Sequence, residues 1–187
     1  MSSNLSSIKN KLCTDSLVAG ETICYPTEGV WGLGCDPFHL EAVDHILWLK
    51  RRPWEKGLIL VAASIEQFDF LLEGLEYKNV DRMKKSWPGP STWLVPHRNL
   101  LPPVVTGGSS KVAIRVSAHP TIIDICQGFG GPIVSTSANT SGATAAIEKY
   151  QALRYFGQSG IRFAAGRVTQ PGKTSTITDL ETGKQLR

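Results

Sequence analysis

Nothing in this 187-residue chain approaches the ~20 consecutive apolar residues of a membrane span. Residues 1–11 are polar and lack the apolar core of a secretory leader, so a cytoplasmic protein with no membrane partner is expected. Cysteine is sparse: Cys13, Cys24, Cys35 and Cys126 lie far apart and form no CxxC pair. That spacing excludes a zinc ribbon or a disulfide framework and predicts buried thiols in a reducing compartment. The phosphate loop GxxxxGK(S/T) and the dinucleotide fingerprint GxGxxG are both missing, which excludes two common nucleotide-binding designs. His39, His45, His97 and His119 are scattered, with no Ser-His-Asp set, no metal-ligand spacing and no carboxylate pair placed for acid–base work. No repeat, low-complexity tract or linker divides the chain, so residues 1–187 read as one domain.

What is present reads as an ordinary globular protein. Hydrophobic residues make up 41% and charged residues 19% of the chain. Twenty Lys and Arg against 16 Asp and Glu leave +4, which suits an anionic ligand and is too small to establish nucleic-acid binding. Apolar spacing predicts a first helix from Leu5 to Val18 with Leu5, Ile8, Leu12 and Val18 as its stripe, stopped by Gly20. A short strand is expected at Thr22 to Tyr25, broken by Pro26, and then a loop from Pro26 to Gly34 whose evenly spaced glycines let backbone approach a ligand or take positive φ. Further helices are expected at Leu40 to Lys50, Ile65 to Leu72, Val80 to Ser86, Thr121 to Gln127 and Ile147 to Phe156. Further strands are expected at Gly57 to Ala63, Ser91 to Pro96, Lys111 to Val116, Pro132 to Ser135, Ile161 to Ala164, Ser175 to Asp179 and Gln185 to Arg187. Such alternation predicts an α/β class: a twisted sheet with flanking helices, its polar glycine-rich segments gathered at strand ends.

Four segments carry chemistry. Thr27 offers a hydroxyl in the glycine-spaced loop. Lys50, Arg51 and Arg52 complement a helix dipole at its C-terminus, yet Pro53 halts the helix and sets Lys50 and Arg52 as an alternating cation pair suited to phosphate or carboxylate. Arg115 interrupts an apolar strand and therefore pairs with an acid or faces an anion site. Residues 135–142, Ser-Thr-Ser-Ala-Asn-Thr-Ser-Gly, crowd donors at a strand end, where they wrap phosphate oxygens or simply cap a turn. An inventory of cations, hydroxyls, amides and glycines suits nucleotidyl transfer, where positioning and charge neutralisation do most of the catalysis.

Taken in order, these segments resemble the YrdC-like threonylcarbamoyl-AMP synthases. The resemblance rests on Tyr25-Pro26-Thr27-Glu28, Lys50-x-Arg52-Pro53 with Lys56-Gly57-Leu58-Ile59-Leu60, and Trp87-Pro88-Gly89-Pro90-x-Thr92. It continues through Ile114-Arg115-Val116, Ser135-Thr136-Ser137-Ala138-Asn139 and Ser175-Thr176-Ile177-Thr178-Asp179. It implies a positively charged concave cavity in which ATP, L-threonine and bicarbonate give threonylcarbamoyl-AMP and pyrophosphate, with Mg²⁺ carried by ATP. It implies Lys50 and Arg52 as catalytic residues that also hold phosphate together with Ser137, Asn139, Arg115 and Ser175. Thr27 and Thr92 are implied at threonine or the carbamate. It further implies that separate tRNA threonylcarbamoyl transferase proteins receive the product. A basic face that binds double-stranded RNA or tRNA without its own chemistry is the competing reading. Trp31 and Trp93 add bulk to the family's usual pattern, which either narrows amino-acid selectivity or fills core, and residues 166–173 diverge most.

Overall fold

A computed structural model describes residues 2–187, with side chains described from Ser6 onward. Its helices are α1 (Ser2–Val18), α2 (Leu40–Lys50), α3 (Asp69–Leu72), α4 (Tyr77–Ser86), α5 (Pro103–Thr106), α6 (Pro120–Phe129) and α7 (Lys149–Phe156). Its strands are β1 (Ile23–Pro26), β2 (Trp31–Gly34), β3 (Ile59–Ala62), β4 (Ser91–Pro96), β5 (Lys111–Val116), β6 (Ile133–Ser137), β7 (Arg162–Phe163) and β8 (Thr176–Asp179). The eight strands form one mixed sheet in the order β7-β1-β2-β6-β3-β5-β4-β8. No described helix is long and apolar enough to cross a membrane.

Side chains alternate across a strand, so each strand supplies two different surfaces. Cys24, Leu33, Leu60, Ile114 and Val134 point to a large core beneath α2 and α4. The opposite face carries Ile23, Tyr25, Val61 and Ile133, packed against Cys13 and Leu17 of α1 and Ile122, Ile125 and Cys126 of α6. Those two helices cover only part of that face. Further along the same strands Ile59 pairs with Ser135 and Ala113, and Leu94 with Ala113, so these four side chains lie abreast on the uncovered part.

Several expectations change. The α1 stripe points to solvent: Ile8, Leu12 and Val18 are exposed, and Leu5 lies outside the described side chains. Asn10, Cys13 and Leu17 form the buried face, because Asn10 accepts from the Ala165 N–H and donates to Asp124 where a hydrophobic residue could do neither. The Pro26–Gly34 loop is largely a hairpin, with Pro26 paired to Trp31 and Gly34 to Ile23. Its glycines do not take positive φ. Gly34 is required because a Cβ there would sit 2.5 Å from the Val134 oxygen and 2.7 Å from the Tyr25 ring. The expected strand at 185–187 is only a single bridge, Thr178 to Gln185. All four cysteines are buried and free, as expected.

Candidate functional site

The uncovered sheet face is the floor of a cavity of about 570 Å³. Ile59, Ala113, Ser135 and Ser137 lie on its floor. Its walls come from the β1–β2 turn (Thr27, Gly29), the segment after α2 (Arg52, Lys56) and residues 173–175. The ionisable groups that line it are Arg52, Lys56, Lys111, Arg115, Lys173 and Arg187 against Glu55 alone. Lys111 is already committed: its Nζ lies 2.7 Å from Asp179 and 2.5 Å from Glu181. Arg115 is paired with Glu28, and the other four cations, Arg52, Lys56, Lys173 and Arg187, face Glu55 as the one lining acid.

Of the residues expected at the site, Thr27, Arg52, Arg115, Ser137 and Ser175 line this cavity together. Lys50, Asn139 and Thr92 do not; they stand behind its wall. Lys50 is only 2% exposed. Its ammonium donates to the Ser137 carbonyl and, at 2.8 Å, to the Asn139 carbonyl, while its own carbonyl accepts from the Ser141 N–H at 2.7 Å. The last residue of α2 is thus knitted to the end of β6 at both ends of its side chain and backbone. Burial, with Arg52 nearby, pulls the Lys50 ammonium down from 10.5 to about 8. Arg51 makes the turn possible by capping α2 in the left-handed region (φ 49, ψ 47).

Arg52 is therefore the cation of the pair that reaches the cavity. Its Nη2 donates to the carbonyls of Lys56 and Gly57 at 3.2 and 2.8 Å, and its Nε is buried without a partner. Burial also lowers its basicity. Asn139 Nδ2 donates to the Thr140 and Ala143 carbonyls, which shapes the turn after β6, and its buried Oδ1 has no partner. Thr92 donates to Ser175 Oγ at 2.8 Å and so braces a lining residue from behind. Thr27 Oγ1 donates to the Val30 carbonyl at 2.8 Å.

Glu28 carries a role not legible in its isolated place in a glycine-rich segment. Its Oε1 accepts from Ser117 Oγ at 2.7 Å and the Ala118 N–H at 3.0 Å, and its Oε2 lies 3.1 Å from Arg115 Nη2. Burial pushes this carboxyl up, but Arg115 and the hydrogen bonds outweigh it and hold it below the usual range. Of the two alternatives for Arg115, the structure shows the acid partner, and Arg115 also lines the cavity. The one signal available in sequence was that a cation inside an apolar strand needs a nearby acid. Lys173, in the divergent segment, and Lys56 also line the cavity without having been assigned a role. Trp31 and Trp93 do not line it: they are 1% and 8% exposed members of the large core, so their bulk fills core.

The profile of the Sua5/YciO/YrdC family, described as telomere recombination, matches residues 15–187. A threonylcarbamoyl-AMP synthase of Saccharophagus degradans is 52% identical over 175 residues, covering 94% of this chain and 92% of that protein. A threonylcarbamoyl-AMP synthase of Pseudomonas fluorescens is 50% identical over 169 residues, covering 90% of this chain and 91% of that one. Among solved structures, P. abyssi Sua5 complexed with L-threonine superposes with a TM-score of 0.87 at 30% identity, over 96% of this chain. This chain spans 53% of that longer protein.

Proposed function

The chain belongs to the Sua5/YciO/YrdC family, and we propose that it is a threonylcarbamoyl-AMP synthase acting on ATP, L-threonine and bicarbonate. The observation that carries this reading is a 570 Å³ cavity lined by six cations and one acid on a sheet face left bare by α1 and α6. A volume of that order suits a nucleotide-sized ligand.

In this reading the threonine amine and bicarbonate condense to a carbamate with loss of water. A carbamate oxygen then attacks the α-phosphorus, the bond to the bridging oxygen breaks, and pyrophosphate leaves. Attacking group and triphosphate are both anionic, so their approach needs fixed positive charge in a partly desolvated site. Arg52, Arg115 and Lys56 supply it, Ser137 and Ser175 donate to phosphate oxygens, and Thr27 meets the threonine or carbamate. Lys50 and Asn139 act from behind, holding the end of β6 so that Ser137 faces the ligand. Thr92 acts likewise through Ser175.

Among the described residues no three His, Cys, Asp or Glu side chains cluster to hold a metal. In this reading Mg²⁺ enters as MgATP, with phosphate and water as its ligands. Four buried free thiols fit a reducing cytoplasm. The mixed anhydride product is reactive, and it passes to separate transferase proteins that place the threonylcarbamoyl group on tRNA.

Incubation with MgATP, L-threonine and ¹³C-bicarbonate is expected to give a labelled threonylcarbamoyl adenylate by mass spectrometry. An adenylate of threonine without the labelled carbon would overturn the reading.

A further inference from the structure

An electropositive cavity gains nothing from a carboxylate nearby unless that carboxylate does something a neutral group cannot. Glu28 stands in the turn between β1 and β2, flanked by two residues that line the cavity, Thr27 and Gly29. It is 9% exposed and shows no lining surface of its own. Oε1 is fully occupied by Ser117 and Ala118. Oε2 is buried, accepts no hydrogen bond of good geometry, and has Arg115 Nη2 at 3.1 Å. A buried carboxylate oxygen without a hydrogen bond is costly, and among the described residues the ion-pair partner that offsets it is Arg115. Arg115 in turn sits at the border of the cavity: its backbone pairs with Val61, whose side chain belongs to the core under α1 and α6.

We infer that Glu28 is a positioning residue that fixes the Arg115 guanidinium by one edge so that the rest of it is presented, preorganised, to an anionic ligand in the cavity. The inference deepens the proposed function and rests on it for the identity of that anion. A guanidinium tethered at one nitrogen loses its rotamer freedom before the ligand arrives, so less entropy is lost on binding. The competing account makes Glu28 a staple only, joining the β1–β2 turn to Ser117 and Ala118. The same turn also receives the Gln170 and Gly172 N–H groups on the carbonyls of Glu28 and Gly29.

A double-mutant cycle separates the two. Glu28→Gln keeps an oxygen for Ser117 and Ala118 and removes the charge facing Arg115. Binding of MgATP by calorimetry is expected to weaken about tenfold in Glu28→Gln, and by less than about twofold when the same change is made in an Arg115→Ala background. Equal losses in both backgrounds, or no loss in either, would overturn the positioning role. Inorganic pyrophosphate is titrated in parallel, since fixed cations recognise it without adenosine. Wild-type protein that binds pyrophosphate and not MgATP contradicts the nucleotide reading while the cycle is still read on pyrophosphate; binding of neither overturns both. If Glu28→Gln lowers the melting temperature, Ser117→Ala gives the second reading. It removes a staple bond without touching Oε2 and is expected to change affinity less than about twofold; a tenfold loss there would assign Glu28 to stapling instead.

Discussion

Arg52 and Lys50 are two positions apart in sequence and do opposite jobs. Arg52 reaches the cavity, so Arg52→Ala is expected to abolish turnover while the melting temperature moves little, checked by activity beside a thermal melt. Lys50 is buried against the Ser137 and Asn139 carbonyls. Lys50→Met leaves those acceptors without their donor and is expected to destabilise the protein by about 1–3 kcal/mol as well as lowering turnover. The pH dependence has a definite sign. A folded-state ammonium at about 8 against an ordinary 10.5 means that charging Lys50 opposes folding below pH 8. That penalty is lifted between about pH 8 and 10.5, so wild type is expected to gain stability relative to Lys50→Met across that window. A constant difference between the two melting curves would contradict it. Ser137→Ala is expected to weaken nucleotide use by about 1–3 kcal/mol through loss of a donor to phosphate, read as kcat/KM for ATP.

At the scale of elements, the cavity wall depends on short segments pinned by few contacts. Gly29 packs so closely on the Lys173 carbonyl that a Cβ would collide with it. Gly29→Ala is therefore expected to displace residues 170–175, raising their hydrogen exchange and lowering turnover; unchanged exchange there would contradict the packing. Strand β8 is held at the sheet edge beside β4 and by Lys111, which bridges Asp179 and Glu181. Burial pushes the Asp179 carboxyl up, but donation from Lys111 and the Thr182 N–H brings it down to about 2. Its stabilising contribution is thus present above about pH 3.8 and lost as pH falls towards 2. Asp179→Asn is expected to flatten that acid limb of the stability curve.

The elements that sequence places correctly are those with strong apolar pattern: α2, β4 and β5 have the expected bounds. Strand β2 is not legible because two of its four residues are glycine, which lowers strand propensity, and Gly34 serves a close approach to Val134 and Tyr25 that only the folded sheet creates. The face of α1 is misread because its buried polar anchor, Asn10, looks like surface in one dimension. At the site, residue types foretell a cavity lined by cations and hydroxyls, but spacing cannot tell which cation of a charged run turns inward. Only the register of α2 against β6 decides that Lys50 does.

At the scale of the molecule, one sheet serves two purposes on one face. Its end under α1 and α6 is core, and its bare end is the cavity floor, so the rigid packing of the first aligns the second. Positive charge from the segment after α2, from β5 and from the segment before β8 converges there although these segments are far apart in sequence. The most direct measurement is pyrophosphate release from MgATP, with L-threonine and bicarbonate each omitted in turn. The account predicts release only when all three are present. Release that is indifferent to threonine or to bicarbonate, or no release at all, would contradict it.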